Sequence, residues 1–407
     1  MSGAQHGGRR AIGSPPPTLK NGATMSMHPP ASGPSRRSFL RLSALGLGAA
    51  ALGTTLAGCA SGSSAGSRKT VGSSLDEIAA LAKKEGKVQL IALPDTWANY
   101  KGQLEKFRAK YGIETPVASP DASSAEEVKA VKTLLGQSSQ PDSIDIGYSF
   151  TKAATEQGLI EAYRPSNFDR VPDNLKDPNG LWVGAYYGVV SIGVNTKAAP
   201  RPASFEDLKR PEYKGKVALP GDPRTGATSL ATVFAAALAY GGSADDITPG
   251  IEYFADLAKR GNLVNISKTS SALASGQAAV VFDWNYNFTG MSAELKRTGV
   301  DLEFFVPAEG VFGTYYVQPV TKASPQPNAA RLWVDWLTSD EGAEQYALGG
   351  AVPARFTELA QAGKLSKEAM ANLPDPEILR KVTFPTVDQG TKASQLVTDT
   401  WAAKVRA

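Results

Sequence analysis

The sequence predicts an α/β chain folded as two lobes, and three observations carry that prediction. The chain has 407 residues and is 42% hydrophobic, which is enough for a sizeable core and more than one compact unit. Between residues 75 and 149, compact apolar runs alternate with helical stretches. That β-α-β-α-β order favours a parallel sheet with helices on both faces. A second α/β unit begins near residue 216, after one long β-rich run around residues 187–195 that leaves the first lobe.

The elements follow in order. Residues 75–84 read as a short helix, and residues 87–92 as a buried parallel strand. The next helix keeps Tyr100, Leu104, Phe107 and Tyr111 at helical spacing and stops at Gly112. A strand follows near 114–118, then a helix over 125–137 with Val128, Val131 and Leu135 on one face. Residues 145–149 end a third strand. In the second lobe, residues 216–219 form a strand, 226–240 and 250–260 helices, and 278–282 a strand. Residues 302–306 return toward the first lobe, and the remainder is mostly helical, at 328–337, 340–347 and after residue 366.

Composition removes several function classes. The formal charge is +4, but residues 1–58 hold six basic residues and no acid. Without those six, 37 basic residues face 39 acidic ones, and such a body has no electrostatic footprint for nucleic acid. From Ala60 onward there is neither His nor Cys. Zinc sites built on those residues, Ser–His–Asp triads and Cys–His pairs are therefore excluded from the body, as are internal disulfides.

The leader carries an address. Residues 35–41 read Ser-Arg-Arg-Ser-Phe-Leu-Arg, and a mild Gly/Ala-rich apolar stretch covers 42–57. This resembles a twin-arginine export signal, and the stretch is short and interrupted for a spanning helix. Leu56, Ala57, Gly58 and Cys59 resemble a bacterial lipobox, in which the Cys59 thiol receives a diacylglycerol. The chain's one cysteine stands at the position that motif requires. The alternative is a membrane-anchor helix with a fortuitous Leu-Ala-Gly-Cys. Met25 or Met27 is an alternative start. Residues 60–74 are a Ser/Gly tether. Its Gly62–Gly66 segment matches G-x-S-x-G, but it follows no strand and has no histidine to serve it.

Four segments of the body resemble the solute-binding proteins of ABC importers, in the branch with polyamine, ferric-iron, thiamine and phosphonate binders. They are Glu85-Gly-Lys-Val88, Gly188 to Thr196, Ser204-Phe-Glu-Asp-Leu208 with Tyr213 to Pro220, and Asn328 to Gly342. The resemblance spans about residues 76–350. It implies a periplasmic-binding-protein fold, with a ligand cleft between two α/β lobes joined by crossing strands. The expected division is signal peptide 1–58, lipidated Cys59 and tether 59–74, first lobe 75–194, second lobe 195–305, and 306–407 for the return and C-terminal helices. The implied protein is exported and lipid-anchored on the periplasmic or outer face of the cell membrane. It works as a monomer with ABC permease subunits and performs no catalysis. No cofactor, metal or nucleic acid is expected.

Ligands on open α/β sheets sit beyond the carboxyl ends of the strands, which nominates the residues after each one. Asp95, Trp97 and Tyr100 follow the first strand, and Tyr148 the third. Asp95 is equally a helix cap, and Tyr100 or Tyr148 equally a core residue. Tyr186-Tyr187 and Tyr315-Tyr316 are adjacent pairs, of which one member each can face a given site; Tyr187 and Tyr315 are taken as candidates. Phenolate is a hard donor, so the pairs keep ferric iron open. Arg224 and Thr225 open a helix whose free N–H groups suit an anion. Asp283, Trp284 and Tyr286 end the strongest strand, and a carboxylate beside an indole suits an ammonium group. The leading expectation is therefore a polyamine or related amine, with ferric iron, phosphonate and thiamine as alternatives. A secreted enzyme, or a lipoprotein that senses its ligand, is the alternative of another class.

Overall fold

The computed structural model describes residues 70–406; the expected signal, Cys59 and most of the tether lie outside them. Helix α1 (Leu75–Glu85) is capped by the Ser74 hydroxyl and closed by Gly86 in the left-handed region. Strands β1 (Leu90–Ile91) and β2 (Val117–Ala118) flank α2 (Tyr100–Tyr111) and pair in parallel. Helix α3 (Ser124–Leu134) opens on a reciprocal capping box between Ser123 and Glu126. Then come β3 (Ile146–Gly147), α4 (Thr151–Glu156) and β4 (Ile160–Glu161). The alternation predicts three parallel strands here, but β3 pairs antiparallel with a strand of the chain's return. Asp142 takes the edge of β1 instead. Its backbone N–H donates to Gln89 O, and its carboxylate accepts the Gln89 N–H at 2.6 Å.

Strand β5 (Gly184–Asn195) joins the lobes and is buried along all but its last residue. The second lobe holds β6 (Val217–Ala218), α5 (Ala227–Ala239), α6 (Thr248–Arg260), β7 (Leu263–Val264) and α7 (Thr269–Ser275). It continues through β8 (Val280–Trp284), α8 (Asn285–Arg297) and β9 (Leu302–Phe305). Strand β6 runs parallel to β7 and β8, while β8 and β9 run antiparallel to the second half of β5. The return brings β10 (Gly313–Val317) between β3 and the first half of β5, and β11 (Val320–Thr321) onto β4. Six strands in the order β3-β10-β5-β8-β6-β7 thus run through both lobes.

The chain closes with α9 (Pro327–Thr338), α10 (Asp340–Leu348), β12 (Val352–Pro353), α11 (Phe356–Gln361), α12 (Lys367–Asn372), α13 (Pro376–Leu379) and α14 (Val387–Lys404). Strand β12 pairs with the first half of β5. Helix α14 crosses back to the second lobe, where Trp401 packs 5.8 Å from Phe254 of α6.

Where β5 passes from lobe to lobe, Gly188 faces the rings of Trp284 and Tyr286. A Cβ there would lie 2.5 Å from Tyr286 and 3.1 Å from Trp284, both fully buried. Gly188→Ala is expected to cost about 2 kcal/mol through overpacking, read as a lower urea midpoint at unchanged slope.

Candidate ligand-binding cleft

A cavity of about 380 Å³ opens between the lobes. Its first-lobe wall is Tyr148, Ser149 and Phe150, which follow β3. Its second-lobe wall is Arg224, Thr225 and the first turn of α5, and Phe312, Thr314 and Tyr316 of the return line it between them. Gly390 of α14 lets that helix pass against Tyr148, since a Cβ there would meet the Tyr148 hydroxyl at 2.6 Å.

The electrostatics of this cavity come from the start of α5. Gly226 caps the helix without a side chain. Among the described residues, no acceptor meets the N–H groups of Ala227, Thr228 or Ser229. The Ser229 hydroxyl is fully buried and also has no partner. It sits 3.3 Å from where a Cβ on Gly226 would stand, beneath the same turn. Among the described residues, Arg224 is the cavity's one charged lining residue, and no carboxylate lines it. Its guanidinium grips Asp222, with Nε 3.0 Å from each carboxylate oxygen, and holds that carboxyl below its usual range.

A second opening of about 360 Å³ lies against Thr96, Thr228, Lys268, Asp283 and Glu294, so the first turn of α5 borders both. Asp283 is 5% exposed, and both its oxygens have donors in their own lobe. Thr269 Oγ1 donates at 2.8 Å, the Trp284 N–H at 2.8 Å and Asn287 Nδ2 at 2.7 Å. Burial still pushes this carboxyl upward. Trp284 and Tyr286 are fully buried, and among the described residues the indole N–H has no partner. Asp95 is exposed on the turn before α2, and Trp97 on that turn is half-buried.

The tyrosine pairs divide as strand alternation requires. In the β5–β10 register Tyr186 faces Tyr316 and Tyr187 faces Tyr315. Tyr187 packs on Phe384, and Tyr315 on Tyr148 and Trp182, within the first lobe. Tyr186 and Tyr316 stack at 5.3 Å on the other face, where Tyr316 lines the cavity. Burial raises all four phenols, Tyr315 to about 12.

Sequence reasoning passed over Asp145, which is buried at the centre of this aromatic block. It accepts the Tyr186 hydroxyl at 2.8 Å and Gln318 Nε2. Nothing near it in sequence marks it, because those partners lie 41 and 173 residues away. Among the described residues no three His, Cys, Asp or Glu side chains stand together as a metal site, and no helix is long and apolar enough to cross a membrane.

A family model for bacterial extracellular solute-binding proteins matches residues 142–382, more than half of the chain. An uncharacterized protein of Haemophilus influenzae is 27% identical over 257 residues, 58% of this chain and 69% of its own length. Among solved structures, the periplasmic binding protein AfuA from Actinobacillus pleuropneumoniae, with fructose-6-phosphate bound, is similar at a TM-score of 0.60. It is 20% identical, with 79% of this chain and 98% of that one covered. The spermidine/putrescine binding protein PotD from Streptococcus pneumoniae is similar at 0.59 and 15% identity, over 79% and 99% of the two chains. These likenesses show a two-lobed periplasmic-binding-protein fold.

Proposed function

The chain belongs to the family of bacterial extracellular solute-binding proteins that serve ABC importers, and on that premise we propose that its cargo is a small solute with an anionic group, a phosphate, phosphonate or carboxylate. One observation carries this reading. The interlobe cavity has an arginine and no carboxylate on its walls, and it meets the first turn of α5 where three N–H groups lack acceptors. Aligned helix N–H groups and the helix dipole favour an anion there. The buried, unpartnered Ser229 hydroxyl adds a donor beneath the same turn. AfuA, whose structure holds fructose-6-phosphate, supports the class of solute only by similarity of fold.

A second reading, an amine-bearing solute such as a polyamine, is favoured by Asp283 and Glu294 at the second opening. Asp283 already has three donors, so it has less left to offer an ammonium group than a free carboxylate would. Ferric iron draws little support, because burial raises the phenols that would have to ionise. Calorimetry with fructose 6-phosphate, aminoethylphosphonate, putrescine, spermidine, thiamine and a ferric salt tests these readings together. Binding of a phosphate or phosphonate is expected, and binding of the polyamines alone overturns the anionic reading.

The binding is capture by closure of the lobes, with release to the permease and no bond chemistry. Export through the twin-arginine signal and diacylglycerol on Cys59 remain part of this proposal. Radiolabelled palmitate is expected to enter the full chain and to be lost in Cys59→Ala, with the variant moving from the membrane to the soluble fraction.

A further inference from the structure

Among the described residues, the turn that follows β1 is built unlike any other. Ala98 and Asn99 are consecutive non-glycine residues in the left-handed region, at φ of 48° and 58°. Alanine has no side-chain hydrogen bond to offset that geometry, so the surroundings must hold it. Asn99 does part of this, since its Nδ2 donates to Gln345 O at 2.9 Å and its Oδ1 accepts from the Gly102 N–H. The residue that enters this strained turn is Trp97.

Trp97 belongs to the first lobe but packs on the second. Its ring meets Tyr286, in the first turn of α8, edge-on at 5.1 Å. One turn further along α8, Gly290 has no side chain, and a Cβ there would lie 2.7 Å from Thr96 O. The turn therefore lies directly on the α8 surface. On its other side the indole Nε1–H donates to the Tyr186 hydroxyl at 2.7 Å, and that hydroxyl donates to Asp145 at 2.8 Å. A phenol that must accept from the indole needs its own proton directed elsewhere, and the buried carboxylate directs it.

We propose that Asp145 and Tyr186 are positioning residues that fix the Trp97 indole as a bolt between the lobes, and so set how firmly the cleft stays closed. This rests on the reading that the lobes close on a solute, but its test needs no solute, so the two fail separately. Trp97 then acts on the other lobe and is no wall of the ligand cavity, which it does not line.

The test is a spin-label distance across the cleft in the full chain. Labels go on Lys106→Cys in α2 and Lys259→Cys in α6, both exposed, in a Cys59→Ser background. The parent is expected to give one narrow distance distribution. Trp97→Ala and Tyr186→Phe are expected to add a second, longer population, and Asp145→Leu to behave like Tyr186→Phe. Asp145→Asn, whose carbonyl still accepts the phenol proton, is expected to restore the narrow distribution. A first-lobe core variant in α1, Ile78→Ala, controls for lost stability and is expected to leave the distance unchanged. An unchanged distribution in Trp97→Ala, or equal broadening in Ile78→Ala, overturns the proposal.

Discussion

Ala227→Asp is expected to weaken binding of an anionic solute about 100-fold, or about 2.7 kcal/mol, without destabilising the fold. Ala227 is the first residue of α5, is exposed, and lines the interlobe cavity. A carboxylate there lies beside the unpartnered N–H groups of the first turn. It satisfies them as the solute would, and its charge repels a second anion. The same carboxylate favours the helix by about 0.3–1 kcal/mol through the dipole, so the thermal midpoint is expected to hold or rise. Stability and affinity moving in opposite directions separate a filled site from a damaged fold. Calorimetry on the panel member that binds, beside a thermal melt of the free variant, reads both. A solute bound as tightly as before, or an amine bound more tightly, removes the anionic reading.

The sequence makes the two-lobed α/β order visible because each lobe builds it from local alternation. Helices α2, α5 and α9 lie within one or two residues of where periodicity puts them, with caps and stops such as Gly112 in place. The partners of β3 are not visible. Its pairing with β10 joins residues 146–147 to 316–317, and no local pattern encodes that choice. The cleft divides in the same way. The open start of α5 can be read from Gly226 and the small residues after it. The closed environment of Asp283 cannot, because Thr269 reaches it from 14 residues away. For the tyrosine pairs alternation says that two rings must part from two. Which pair faces the cleft depends on the register of β5 with β10. The strain at Ala98 has no sequence signal at all, since alanine usually marks a helix interior.

Between pH 5 and pH 8 the wild-type protein is expected to lose about 3 kcal/mol more stability than Asp145→Asn. Burial pushes the Asp145 carboxyl up to about 7, against the hydrogen bonds from Tyr186, Gln318 and Tyr100 that favour its charge. Among the described residues, the groups around it offer no cation. Glu127 of α3 accepts the Asp145 backbone N–H and is itself raised, by burial first and by the Asp145 charge second, while Tyr100, Tyr186, Tyr316 and Tyr346 face it as neutral phenols. The sign follows from the protons held. A raised carboxyl keeps its proton in the folded chain at pH values where the unfolded chain has released it. Stability from this group is therefore full below its unfolded value near 4 and falls as pH rises through about 7. Asp142, raised to about 6, adds a slope of the same sign in both proteins and cancels in the comparison. Asn at 145 carries no titrating proton, and its amide can donate to Gln318 Oε1, an oxygen with no partner among the described residues. Urea unfolding at the two pH values measures the double difference. Parallel profiles would mean that Asp145 stays charged throughout, and that the aromatic block is better hydrated than its burial implies.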